Sequence, residues 1–172
     1  MADDGDQLAA SLAGWLDAVS ISNQDAAVVT ETLVNAVADW GRSQGWRVYR
    51  RAPSVLPLPP PFAHRHSVVD VGCARAGAPP IVIEVDRSDR QRTIDKLLAE
   101  ARAGRVALWV RWGKGPFVAP PPSVRLVPVT VTSRRDPDGG RMLHSSPAAE
   151  LPAPAHTDVD VDGIEQAELF GT

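Results

Sequence analysis

Between Ser67 and Gly113 the chain reads SVVDVGCARAGAPPIVIEVDRSDRQRTIDKLLAEARAGRVALWVRWG. An apolar run ends in the acid Asp70, and a Gly/Pro-rich stretch from Gly72 to Pro80 reads as a turn. A second apolar run, Ile81 to Val85, carries Glu84 and leads into Asp86. An arginine-rich segment follows, with Thr93 as the predicted cap of a helix over residues 94–103 whose Ile94, Leu97 and Leu98 face inward. Gly104 ends that helix before a third apolar run, Val106 to Trp112. The order strand, turn, strand, helix, strand predicts an α/β fold with a mixed sheet flanked by helices.

Side chains alternate across a strand, so Glu84 and Asp86 are expected on one face, and a hairpin pairing would bring Asp70 toward it. A single strand-end acid is ordinarily solvated. Three carboxylates at one sheet edge repel one another unless a positive group lies between them. A hard divalent cation prefers such oxygen ligands, which makes Mg²⁺ or Mn²⁺ the expected cofactor.

The rest of the chain frames this segment. Residues 1–21 are read as an amphipathic N-terminal helix, with Leu8, Leu12, Trp15, Leu16 and Val19 at helical spacing. Residues 22–44 form a second helix with Ser22 and Asp25 in a capping arrangement, an apolar stripe from Val29 to Trp40 and Gly45 as the stop. Trp46 to Arg50 alternates apolar and basic residues and reads as the first strand, and residues 52–61 are too proline-rich for anything but a connector. Residues 123–132 predict one last strand, at an edge because of Pro128. Residues 133–163 show no periodicity and read as a flexible linker.

Charge is distributed unevenly. The net charge is only −3, yet residues 1–41 hold seven acids and no Lys or Arg, while residues 42–115 hold fourteen Lys or Arg against six acids. The basic surplus therefore falls on the segment that carries the acids, as a phosphate-binding surface requires. The single cysteine, Cys73, excludes an internal disulfide and a cysteine-based zinc cluster. No apolar run approaches a membrane span, and the acidic start MADDGDQ lacks the basic opening of a signal peptide. A cytoplasmic, nucleoid-associated protein is the expectation.

The Asp70…Glu84-Val85-Asp86 spacing, followed by Asp95, Lys96, Leu97, Gly104 and the VALWVRW strand, resembles the core of the PD-(D/E)XK nuclease superfamily, near its very-short-patch-repair-like branch. The resemblance covers residues 28 to 113. Val69 stands where that pattern has proline, and Asp86 where it has lysine. It implies a restriction-endonuclease-like three-layer fold over residues 22–132. It also implies a Mg²⁺- or Mn²⁺-dependent DNA endonuclease or repair nuclease with Asp70, Glu84 and Asp86 at the metal and Glu31 of the preceding helix as a further ligand. On this resemblance Lys96 is the expected substitute for the missing lysine, and Arg87, Arg90 and Arg92 are the expected contacts to DNA phosphates. His64 and His66, just before the second strand, are candidate proton carriers. Cutting both strands would call for a homodimer.

The last residues, 164–172, differ again. Gln166-Ala167-Glu168-Leu169-Phe170 resembles the bacterial sliding-clamp-binding motif at Gln166, Leu169 and Phe170, with Ala167 in place of leucine. This resemblance implies a clamp-binding motif at the end of a disordered C-terminal tail. The loss of lysine at position 86 also supports a second reading, a nuclease-fold adaptor without cleavage activity that binds DNA or the clamp.

Overall fold

The computed structural model describes residues 3–147. Helices α1 (Asp4–Asp17) and α2 (Ala26–Ser43) precede β1 (Arg47–Pro57), β2 (His66–Arg75) and β3 (Ala78–Asp86). Helix α3 (Gln91–Arg102) leads into β4 (Val106–Gly113), β5 (Val124–Thr130) and a small hairpin of β6 (Thr132–Arg135) and β7 (Met142–Ser145). The main sheet has the order β1-β2-β3-β4-β5. β1 to β3 pair antiparallel, whereas β3, β4 and β5 pair parallel, so β2 alone runs against the other four. This is the mixed sheet expected from the sequence.

Alternation along the strands gives the sheet two apolar faces. Ile81, Ile83 and Val85 of β3, with Leu108, Val110 and Trp112 of β4, enter one core together with α1 and α2. Val82, Ala107 and Trp109 enter the other, with Leu97 of α3. Helices therefore cover both faces in three layers. The stripe Val29, Leu33, Val37 and Trp40 makes α2 the main cover of the first face, and α1 adds Leu8, Leu12 and Leu16. Each such side chain, fully buried, contributes roughly 1.5–3 kcal/mol. At its start α1 is fastened by ion pairs from Arg75 to Asp4 at 2.6 Å and from Arg125 to Asp6 at 2.6 Å.

Several local expectations change. Asp25, not Ser22, is the N-cap of α2, its carboxylate accepting from Val28 N at 2.9 Å. Thr93 is not the cap of α3; it is buried inside the helix, which starts at Gln91 without a side-chain cap bond. The first strand continues through the proline-rich stretch to Pro57, which β1 accommodates because it is an edge strand with no neighbour on its outer side. β2 runs on past Gly72 to Arg75, so the predicted turn shrinks to Ala76-Gly77, with Gly77 at φ +69°. Gly72 belongs in the strand because a Cβ there would meet the Ala52 Cβ at 2.9 Å.

The expected linker is also structured at its start. β6 and β7 lie within or next to it, and His144 of β7 bridges to Gln24 ahead of α2. His144 is buried edge-on against Trp112, with ring centroids 5.1 Å apart. Burial, helped by the Arg87 charge, holds its pKa below the usual value. The remainder of the expected linker and the predicted disordered tail lie outside the described residues.

Candidate active site

At Asp70 the strand pattern breaks. Val69 and Val71, two positions apart, belong to different cores, so the alternation changes face at Asp70. The β2–β3 pairing ends at Val71 and Ile83. Beyond it the Asp70 carboxylate takes the place of a backbone acceptor, Oδ2 receiving the Val85 N–H at 2.8 Å. Opposite Asp70, Arg51 of β1 has φ +53°, between the pairs Arg50–Val71 and Ala52–Val69.

A cleft of about 700 Å³ opens at the carboxyl ends of β3 and β4. Asp70, Glu84, Asp86 and Lys96 line it, together with Arg87, Arg90 and the first turns of α2. Open α/β sheets bind ligands at this end of their parallel strands. Glu84 is only 5 % exposed, and its Oε1 accepts from the Lys96 ammonium. Lys96 also donates to the Val68 carbonyl at 2.6 Å, so α3 is pinned to both acid-bearing strands. Burial first, and then the Asp70 charge, pushes the Glu84 carboxyl up to about 8 against the pull of Lys96. The two carboxyl groups are close enough to resist joint ionisation, while Lys96 supplies a single positive charge.

Asp86 lines the cleft but is turned toward β4. Its Oδ2 accepts from Trp109 Nε1 at 2.9 Å, and its backbone carbonyl accepts from Arg111 at 3.2 Å. Among the described residues no three His, Cys, Asp or Glu side chains converge to hold a metal. The expected three-carboxylate cluster is thus a pair, Asp70 with Glu84, because the indole of Trp109 engages the third acid. Glu31 does not reach the cleft either. It is exposed and bonded to Arg50 at 3.0 Å, and the α2 residues that face the cleft are Ala26, Ala27 and its neighbour Thr30.

Of the expected phosphate contacts, Arg87 and Arg90 line the cleft, and the Arg87 guanidinium lies 5.7 Å from the Trp112 ring centre. Arg92 donates to the Pro57 carbonyl at 2.9 Å and faces an adjoining cleft instead. His64 is exposed, and His66 Nδ1 contacts the Ser54 carbonyl at 2.9 Å, so neither meets Asp70. Gln166, Leu169 and Phe170 lie outside the described residues.

The donor set fits a hard divalent cation in one respect and falls short in another. Two carboxylates with no nitrogen or sulfur donor suit Mg²⁺, which keeps several of its waters and needs only one or two carboxylates. A cation between them would offset the burial and the Asp70 charge that push the Glu84 carboxyl up. The third protein carboxylate is missing. No protein-family model, no protein of curated function and no solved structure matches this chain. Among the described residues no helix is long and apolar enough to cross a membrane.

Proposed function

We propose that the chain is a divalent-metal-dependent nuclease that hydrolyses phosphodiester bonds of DNA. The observation that carries this reading is the meeting of Asp70 and Glu84, from adjacent strands, with Lys96 from α3 in one cleft. The strand order, the break at Asp70 and helices on both faces also agree with a restriction-endonuclease-like fold.

Asp70 and Glu84 would hold the cation, which when bound lowers the pKa of a coordinated water and offsets charge on the phosphate. Lys96 would orient Glu84 and then face the phosphate once Glu84 turns to the cation, serving as the charge that position 86 lacks. Asp86 positions the end of β3 through Trp109 rather than acting on the phosphate. Arg87 and Arg90 add positive charge on the cleft wall, where phosphate oxygens would otherwise meet only acids. Bringing the chain to DNA through a sliding clamp, by Gln166, Leu169 and Phe170, forms part of the same proposal.

The test is cleavage of labelled single-stranded, duplex, mismatched and branched DNA in Mg²⁺ or Mn²⁺, with a chelator control, by the wild type, Asp70→Asn and Glu84→Gln. Metal-dependent cutting lost in both variants supports the nuclease. The engagement of Asp86 by Trp109 favours the second reading, a non-cleaving adaptor. Absence of cutting with either metal, with clamp binding that Leu169→Ala/Phe170→Ala removes, would decide for it.

A further inference from the structure

A second cleft, of about 450 Å³, adjoins the first and shares Arg90, Thr93 and Lys96 with it. Its other walls come from β1, the β1–β2 connection and β2, which bring in Arg51 and Arg65, while α3 adds Arg92. No acid lines it. Among the described residues none of Arg51, Arg65, Arg90 and Arg92 forms an ion pair. Among the described residues, Arg42, Arg50, Arg75, Arg105, Arg111 and Arg125 each pair with a carboxylate, and the other unpaired arginines outside this cleft, such as Arg47 and Arg102, do not gather around one cavity with three more.

Arg51 adds a conformational signal. Its φ of +53° lies in the left-handed region, within a strand that is otherwise paired on both sides of it. Such a conformation is strained for a non-glycine residue, and glycine would relieve it. An exposed arginine thus keeps the conformation glycine favours, opposite Asp70 and on the wall of this basic cleft.

We propose that this cleft is a backbone channel for the nucleic acid, in which Arg51 and Arg65 bind phosphodiesters flanking the one held at Asp70 and Glu84. The inference rests on the nuclease reading for the identity of the strand. Guanidinium groups grip phosphate oxygens in pairs, and four of them around one cleft match a polyanion better than a single small anion. The exposed neighbours Val68 and His66 give the wall flat surface beside the phosphate contacts.

The test is fluorescence anisotropy of labelled DNA binding to the full chain, in chelator so that nothing is cut, titrated from about 50 to about 200 mM salt. The variants are Arg51→Gly, Arg65→Gln, their double, and Arg51→Lys, with Arg42→Gln in the last turn of α2 as a control. Each arginine removed from the cleft is expected to lower the slope of log affinity against log salt by about 0.7–0.9. Arg51→Lys should keep the slope, and Arg51→Gly should not lower the thermal midpoint, which separates lost binding from lost folding. An unchanged slope in the double variant, or an equal fall in Arg42→Gln, would overturn the channel. Cleavage by the wild type is read separately. Cutting with an unchanged slope removes the channel and leaves the nuclease standing, whereas a lowered slope with no cutting keeps the channel and removes the nuclease.

Discussion

Asp70 Oδ2 receives the Val85 N–H at 2.8 Å, one residue beyond Glu84, so a single hydrogen bond fixes the spacing of the two acids across adjacent strands. Asparagine at position 70 keeps an acceptor oxygen and loses the charge. Asp70→Asn is therefore expected to fold, with a thermal midpoint within a few degrees of wild type, while metal-dependent cleavage drops by at least about a hundredfold, since even partners one step removed from a metal are worth about 10–100-fold. Asp70→Ala leaves the Val85 N–H without its acceptor and should lose a further ~1–3 kcal/mol of stability. Thermal melts of the two variants beside their cleavage rates check this.

Glu84 makes stability depend on pH in an unusual direction. Its carboxyl is pushed up to about 8 from a usual 4.5, by burial and then by Asp70. Between those values the folded chain binds the extra proton, so the Glu84 contribution to stability is full below about 4.5 and is lost as pH rises through about 8. In chelator, the wild-type melting midpoint should decline across that window, and the decline should be smaller in Glu84→Gln, which has no proton to release. Equal slopes in the two proteins would contradict the raised value. A saturating divalent cation should flatten the wild-type slope by stabilising the ionised pair.

Two helical glycines should respond to alanine with opposite signs. A Cβ on Gly14 in α1 meets nothing within 4 Å, so Gly14→Ala is expected to stabilise by up to about 1 kcal/mol. A Cβ on Gly41 in α2 would lie 2.7 Å from Val48 Cγ2 and 2.8 Å from the buried Cys73 Sγ. Overpacking costs typically ~1–3 kcal/mol, more than the helix preference returns, so Gly41→Ala should destabilise. Denaturant midpoints of both variants test the packing of α2 on the sheet.

The sequence made the frame of this site readable through the features that obey simple periodicities. Asp70 ends one apolar run and Glu84 lies within the next, and those runs fall in the strands that carry them. The α2 stripe and the VALWVRW strand likewise follow the helical and buried-strand patterns. What escaped depends on neighbours. Pro53 and Pro57 disguise β1, because their tolerance follows from an edge position that only the assembled sheet defines. The four-residue strands β6 and β7 are too short to show alternation, and are held by the bridge from Gln24 to His144. Asp86 looked equivalent to Glu84 by alternation, and the indole that claims it belongs to β4. Glu31 and Thr30 are adjacent in sequence, so one residue of rotation about α2 decides which of them meets the cleft. The left-handed turn at Arg51 has no sequence signature, since glycine and asparagine are the residues that announce it.

The most direct test of the account is calorimetric titration of the full chain with Mn²⁺ near neutral pH, in buffers of different ionisation enthalpy, for the wild type, Asp70→Asn and Glu84→Gln. A cation shared by Asp70 and Glu84 predicts one Mn²⁺ per chain in the wild type, with release of the Glu84 proton on binding, and loss of that site in both variants. Absence of Mn²⁺ binding by the wild type, or binding that survives both substitutions, would contradict it.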